Sequence, residues 1–242
     1  MEEQSTTDNG DLAPLQRLIG IFTMPRATFG SLVESISTVD ILIPVIVVLV
    51  VSLGMQPLVR PIAMEEQTQA ILQRDDLPDD QKEIILDRME RIGDRMSGPL
   101  GYLIIVSATL VWYAVLAGVI MFFGSFILGG QASFKDTLGV VVYAQLVNVV
   151  ELIVKIPLII QTQTIQVETS LALLLPGSLD STLLYRFFHR LDFFSIWRIF
   201  LLALGMAIIY RVDEKRSRSM LYGAWALAMF LLAWLFDGRG IA

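Results

Sequence analysis

Five long apolar stretches constrain the fold of this chain of 242 residues more than any other feature. Each stretch meets or approaches the ~20 residues that a helix needs to cross ~30 Å of hydrocarbon. Inside a bilayer the backbone N–H and C=O groups must pair within their own segment, which leaves helices as the form for such stretches. The sequence therefore predicts an all-α polytopic membrane protein with five transmembrane helices. The predicted spans are 41–59, 99–129, 137–160, 193–210 and 219–236.

Composition excludes several classes of function. Hydrophobic residues make up 55% of the chain, above the roughly 45–50% of soluble domains. The formal net charge of -6 comes mostly from the first 11 residues and from 60–98, and there is no basic stripe, so no nucleic-acid partner is expected. Without Cys, and with His189 as the one histidine, thiolate catalysis and Cys- or His-based metal clusters are excluded. Hydrolase and nucleotide-binding motifs are also absent, so we expect no enzyme activity and no cofactor or metal.

The residues that precede the first span divide into two parts. A polar tail over 1–11 is predicted to be disordered, and 12–37 is predicted to form two amphipathic helices that Pro25 separates. These helices suit the headgroup boundary, although they could also merely cover the ends of the spans. A similar interfacial helix is predicted shortly before the fourth span, where aromatic and basic residues alternate. The predicted interfacial anchors are Leu15, Phe22, Phe29, Phe187 and Phe188.

The stretch 60–98 is the only sizeable soluble insertion between spans, and we predict that it forms a helical hairpin. One helix should begin at Pro78 and end near Gly98, and an upstream helix should cover 63–73. Connections in helical bundles usually take 2–8 residues, so the excess length suggests a docking surface for another protein. The alternative is that the apolar stripe packs only against its own partner helix. That stripe, the candidate docking surface, consists of Ile85, Met89, Ile92 and Met96.

The third predicted span carries an unusual set of polar residues. Its members Gln145, Asn148, Glu151 and Lys155 recur at i, i+3, i+6 and i+10, which keeps them on broadly one side of the helix. Arg198 should lie at a comparable depth, because the third span ends and the fourth begins at the same face. Ionisable groups inside a membrane usually face the bundle or a cavity, as a structural ion pair, a relay or a polar substrate site. A relay or substrate site would make the protein a small transporter or channel, although no broken span or inverted repeat is visible.

Small residues in the second span offer a place where another helix could approach closely. Ala114 and Gly118, followed by Gly124, have this character. Such residues are common in membrane helices, so homo-oligomerisation is left open.

Three segments carry a resemblance to a known family. They are RLIGIFTMPRATFGSLVE, LGGQASFKDTLGVVVYAQ and LDFFSIWRIFLLALGMAIIY. In order and in spacing relative to the spans, they resemble the opening, the turn between the second and third spans, and the fourth span of Yip-domain proteins. In the last segment the similar residues are Asp192, Phe194, Ile196, Trp197 and Gly205. The resemblance implies a five-span membrane domain over 38–242 that includes the insertion 60–98.

The family resemblance also sets expectations for function. Eukaryotic members are secretory-pathway membrane proteins that bind Rab-type small GTPases. This compact chain lacks their extended cytosolic tail, which argues against GTPase binding, and it is more similar to bacterial-type relatives, some of which resemble accessory subunits of ABC-type exporters. We therefore expect a non-enzymatic accessory or scaffold protein of an inner-membrane assembly, with membrane lipid and exporter subunits as partners. A small transporter or channel is the alternative.

Orientation is predicted from charge. The raw count of Lys and Arg slightly favours an extracytoplasmic N-terminus, but the basic residues are densest in the short loop 211–218. Short loops weigh most in the positive-inside rule. We therefore predict a cytoplasmic N-terminus and an extracytoplasmic C-terminus, which is also the N-terminal orientation that the family resemblance implies.

Overall fold

The computed structural model describes residues 14–34, 36–167, 169–176 and 182–235. The predicted tail 1–11 lies outside these residues. Within them the chain is helical, with a short 3₁₀ turn at Leu171–Leu174 and a β-bridge between Ser170 and Asp192. The helices are α1 (Pro14–Thr23), α2 (Pro25–Glu34), α3 (Thr38–Leu72), α4 (Asp79–Ser97), α5 (Pro99–Met121), α6 (Phe134–Ala144), α7 (Val147–Thr162), α8 (Leu183–His189), α9 (Phe193–Tyr210) and α10 (Glu214–Leu235).

Among the described residues, five helical segments are long and apolar enough to cross a membrane. They are Thr38–Leu72, Pro99–Ile127, Phe134–Thr162, Phe193–Tyr210 and Glu214–Leu235. The predicted all-α fold with five spans is therefore confirmed. Pro25 does separate α1 from α2, and α4 follows Pro78 and ends before Gly98, as the sequence indicated.

The first span is much longer than expected. Helix α3 has 35 residues, a length of about 52 Å against ~30 Å of hydrocarbon. The prediction of a separate helix over 63–73 is wrong, because α3 continues through Pro57 and Pro61. A proline removes one backbone donor and can kink a helix without ending it, provided the neighbouring turns remain bonded. The hairpin thus consists of the outer part of α3 together with α4.

Helix α9 lies at the centre of the bundle and packs against α2, α6, α7 and α10. The crossing with α6 is tight, because a Cβ on Gly205 would lie 2.4 Å from Cγ1 of Val140. Phe29 of α2 reaches the same contact and is fully buried. Its predicted position as a headgroup anchor is therefore wrong: α2 is a packed element of the core.

The other predicted anchors occupy different environments. Phe22 packs edge-on against Trp197, with 5.7 Å between ring centroids, so α1 lies against α9. Leu15 points away from the bundle, with 69% of its surface exposed. Phe187 and Phe188 of α8 are partly buried, and the Phe187 ring contacts Phe230 of α10. Helices α1 and α2 thus pack into the bundle, and Leu15 keeps the outward position that an interfacial residue needs.

The second span makes a close contact at Gly124, the last of the three small residues predicted for such an approach. A Cβ on Gly118 would meet nothing within 4 Å and Ala114 is exposed, so no other helix approaches these two positions among the described residues. A Cβ on Gly124 would instead lie 2.7 Å from the ring of Tyr210. Here α5 passes into a π-helical turn, Phe122–Ile127, which ends the second span beside α9.

The third predicted span is two helices. Between α6 and α7 the backbone makes tighter i to i+3 bonds, from Leu146 N–H to Tyr143 O at 3.1 Å and from Asn148 N–H to Gln145 O at 3.0 Å. The expectation of an unbroken span was wrong. The break falls at Gln145, where the polar residues of the span begin, and short 3₁₀ interruptions of this kind often mark functional positions.

Candidate functional site

The five polar residues predicted to lie together do so, at the junction of α7 with the first turns of α9. The turn between α6 and α7 supplies Gln145, α7 supplies Asn148, Glu151 and Lys155, and α9 supplies Arg198. The structure adds Asp192, which the site prediction omitted. We call the resulting set the polar network: Gln145, Asn148, Glu151, Lys155, Asp192 and Arg198.

Arg198 ties α9 to α7. Its Nη1 donates to Asn148 Oδ1 and, at 3.4 Å, to Glu151 Oε2. Its Nη2 donates to Ser195 Oγ, one turn earlier on α9, at 2.9 Å. Asn148 in turn donates from Nδ2 to Gln145 Oε1 at 3.0 Å. The guanidinium therefore connects the start of α9 to the break in the third span.

Lys155 bridges two carboxylates. Its Nζ lies 2.7 Å from Glu151 Oε1 and 3.2 Å from Asp192 Oδ2, and 5.8 Å from the centroid of the Phe194 ring. Glu151 is thus shared between Lys155 and Arg198. Two cations and two carboxylates make the polar network neutral as a whole. Charges taken out of water are tolerated when they are paired and hydrogen-bonded in this way.

Asp192 has two structural functions. Its Oδ1 accepts from the backbone N–H of Phe194 at 2.7 Å and so caps α9, while its Oδ2 accepts from Thr169 Oγ1 and Lys155 Nζ. Burial raises the pKa of Asp192, but the Thr169 hydrogen bond, the Lys155 charge and the Phe194 N–H outweigh burial and hold the pKa below its ordinary value. An Asp directly before an apolar run predicts this helix cap. The ion pair of Asp192 with Lys155 has no corresponding signal in the sequence.

A cavity of about 1030 Å³ adjoins the polar network. Residues of α3, α5, α7, α9 and α10 line it, and most of them are apolar. Gln145, Asn148, Ser195 and Arg198 form a polar wall on one side, whereas Glu151 and Lys155 do not reach the cavity. Ser52, Thr109 and Tyr113 also line it. The site therefore consists of a self-paired charged part and a cavity whose polar wall offers amides, a hydroxyl and a guanidinium.

A second buried ion pair was missed from the sequence. Arg17 of α1 and Asp40 of α3 lie 2.7 Å apart, and each side chain is only 3% exposed. Arg17 also donates to the backbone oxygen of Ser31 at 3.3 Å. Asp40 additionally completes a capping box with Ser37 at the start of α3. The Ser-x-x-Asp pattern predicts this helix cap, but it does not predict that Asp40 pairs with Arg17.

The hairpin is joined along its inner side. Arg60 of α3 donates to Ser97 Oγ and to the backbone oxygen of Gly93 on α4. Near the tip of α3, Glu66 accepts from Ile165 N–H at 2.8 Å and from Thr164 Oγ1 at 3.0 Å, which fastens the loop after α7 to the hairpin. These contacts hold the hairpin in a defined position relative to the spans.

Three of the four stripe residues line a groove of about 730 Å³ between α3, α4 and the start of α5. These residues are Met89, Ile92 and Met96. They face Met64 of α3 across the groove, so the stripe packs partly against its own partner helix. Ile92 nevertheless keeps 55% of its surface exposed. Ile85 is partly buried and lies outside the lining of this groove.

The comparisons with known proteins agree with the sequence resemblance. The family model described as the Yip1 domain matches residues 19–235, which extends from α1 to the end of α10. No curated protein and no solved structure matches the chain. The predicted Yip-domain membership is confirmed. The chain belongs to the Yip1 domain family of integral membrane proteins.

Proposed function

We propose that this protein is a non-enzymatic accessory or scaffold subunit of a larger assembly in the bacterial inner membrane, such as an ABC-type exporter. The observation that carries the proposal is the projecting hairpin. Because α3 is ~20 Å longer than the hydrocarbon core is thick, its outer part and α4 stand clear of the bilayer. Reversing the direction of the chain between two spans does not require a projection of this size.

The surface of the hairpin has the chemistry of a docking site. The groove between its helices exposes Ile92 and presents Met64, Met89 and Met96, whose thioethers adapt to varied partners. Exposed carboxylates and arginines alternate along α4 beside this apolar strip. A partner segment with an apolar anchor and flanks that carry both signs of charge would complement both parts.

The polar network supports a structural function better than a catalytic one. Glu151 and Lys155 neutralise each other and lie outside the cavity lining. Ser195, one of the hydroxyl groups that line the cavity, accepts from Arg198, whereas an activated nucleophile requires an adjacent base. This supports the absence of enzyme activity, which assays of the purified protein against hydrolase substrates would check.

The docking proposal is tested by two matched substitutions on α4. Ile92 and Ile84 are exposed to 55% and 57%, but only Ile92 lines the groove. With the protein tagged in its native cells and purified in mild detergent, Ile92→Glu should abolish co-purification of the exporter subunit and Ile84→Glu should retain it. Retention with both variants would move the docking site to another surface. Loss with both would show that the groove is not the specific contact.

A transporter or channel is the second candidate function. The break of the third span at Gln145, beside a cavity with a polar wall, is the observation that favours it, since transporters place their sites at interrupted helices. Purified protein in liposomes with an internal pH-sensitive dye distinguishes the two candidates. The accessory proposal expects no proton flux, whereas a flux that Arg198→Gln removes would support transport.

A further inference from the structure

We propose that the cavity beside the polar network binds a membrane glycerolipid, with an ester carbonyl at Gln145 and Arg198 and an acyl chain extended toward Phe123 and Leu221. The occupant is identified by three observations: a hydrogen-bond donor of a buried side chain that faces the cavity, the length and apolar lining of the cavity, and the position of its mouth.

The first observation is Gln145. Its side chain is almost fully buried, with 6% of its surface exposed, and it lines the cavity. The amide oxygen accepts from Asn148, whereas Nε2 has no acceptor among the residues that the structure describes. Nε2 itself is accessible from the cavity and not enclosed by protein atoms. Because amide donors of largely buried side chains are usually paired, the cavity is the direction from which an acceptor can come.

The second observation is the shape of the cavity. Its lining extends from Ala108 on α5 to Phe123 in the π-helical turn that follows, a rise of ~22 Å. This exceeds the ~15 Å of hydrocarbon in one leaflet, half of the ~30 Å core. Below the polar wall the lining is aliphatic and aromatic, including Ile120, Leu202 and Leu221. An acyl chain can occupy such a volume, whereas a polar metabolite would leave most of the lining without a suitable contact.

The third observation is the mouth. The lining residues Trp112 and Val119 of α5 are 59% and 43% exposed, and Ala228 of α10 is exposed as well. These positions lie within membrane-spanning helices, so the cavity opens toward the bilayer. The molecules that meet this opening are lipids.

The electrostatics of the wall select the ester group over a charged headgroup. The guanidinium of Arg198 in the wall already pairs with Glu151 behind it, which weakens its attraction for an anionic headgroup. What the wall provides is donors: Nε2 of Gln145 and the guanidinium of Arg198. Ester carbonyls are acceptors that diacylglycerol and the glycerophospholipids share. The site therefore recognises the glycerol ester region, while the lipid headgroup remains at the membrane interface.

Two matched alanines on α10 test whether the cavity is occupied. Ala224 and Ala226 are both partly buried, but only Ala224 lines the cavity. After purification in detergent, native mass spectrometry should find bound glycerolipid on the wild type and on Ala226→Trp, and none on Ala224→Trp. Lipid retained by Ala224→Trp, or lost equally from both variants, would overturn the proposal.

A second experiment keeps the proposal testable if Ala224→Trp fails to fold. Gln145→Leu preserves the volume of the side chain but removes the donor. Titration of delipidated protein should show dioleoylglycerol and dioleoylphosphatidylglycerol both bound by the wild type and both weakened roughly tenfold in the variant. Binding of the phospholipid alone, or unchanged affinity in Gln145→Leu, would contradict recognition of the ester.

Discussion

At the scale of single residues, the two buried ion networks differ in how deeply their charges are buried. Arg17 and Asp40 lie 2.7 Å apart, and each side chain is only 3% exposed. In the polar network every charge has more than one partner, and the side chains retain 17–26% exposure. Loss of one group should therefore cost more at the first site than at the second.

Asp40→Asn should lower the free energy of unfolding by ~3–5 kcal/mol, because it removes the carboxylate that lies 2.7 Å from the deeply buried Arg17 charge. The matched control is Asp87→Asn. Asp87 pairs with Arg91 one turn away on α4 in full contact with water, where such a pair contributes only ~0.2–0.5 kcal/mol. Equilibrium unfolding of the detergent-solubilised variants measures both values. Similar losses for the two variants would contradict the assignment.

Glu151→Gln should cost less, ~1–3 kcal/mol. Lys155 would keep Asp192, and Arg198 would keep Asn148 and Ser195, so neither cation would lose every acceptor. The same unfolding measurement compares this variant with Asp40→Asn. A larger loss for Glu151→Gln would show that Glu151 holds the network together, whereas no loss would mean that the carboxylate is solvated.

Part of this residue-level organisation could be predicted from the sequence, for a simple geometric reason. Glu151 and Lys155 share one helix, so their contact follows from helical spacing alone, and the chain direction of the third and fourth spans brought Arg198 to the same depth. The pair of Arg17 with Asp40 and the contact of Lys155 with Asp192 join different helices. Such contacts depend on how helices pack, and a single sequence does not encode that in any local pattern.

At the scale of helices, the crossing of α6 and α9 depends on the absence of a side chain at Gly205. Gly205→Ala should destabilise the fold by ~1–3 kcal/mol, because Val140 and Phe29 leave no room for a methyl group. Gly223→Ala on α10 is the control, since a Cβ there would meet nothing within 4 Å; it should be neutral or stabilise by up to ~1 kcal/mol through helix propensity. If the free energy of unfolding changed with the same sign in both variants, the result would contradict the tight crossing at Gly205.

The number of spans and several helix ends were predicted correctly, whereas the length of the first span and helix continuity were not. Apolar length defined the five spans, and Pro25, Pro78 and Gly98 correctly indicated boundaries. Pro57 and Pro61 lie inside α3, although the first span was predicted to end at 59 and a second helix to begin at 63. The break at Gln145 contains neither Gly nor Pro. Whether a proline kinks or ends a helix, and where an apolar helix tightens, depends on contacts with neighbouring helices that the local sequence does not reveal.

At the scale of the whole molecule, the orientation in the membrane can be tested because the chain has no native Cys. Ser217 belongs to the basic segment 211–218, but it lies in the first turn of α10, is fully buried and donates to Ala203 O at 2.6 Å, so a label could not reach it. Asp75 at the tip of the hairpin and Lys215 at the start of α10 are exposed. An impermeant maleimide on intact cells should label Asp75→Cys and not Lys215→Cys. The reverse pattern would invert the proposed topology.

The neutrality of the polar network also determines how the protein responds to an energised membrane. The transmembrane potential acts on net charge, with ~2.3 kcal/mol for each elementary charge moved through 100 mV. Two cations that share two carboxylates present only a dipole to that field. Collapse of the potential by an ionophore should therefore neither shift α7 against α9 nor change what the cavity holds. The bundle would keep one geometry in growing and in starved cells.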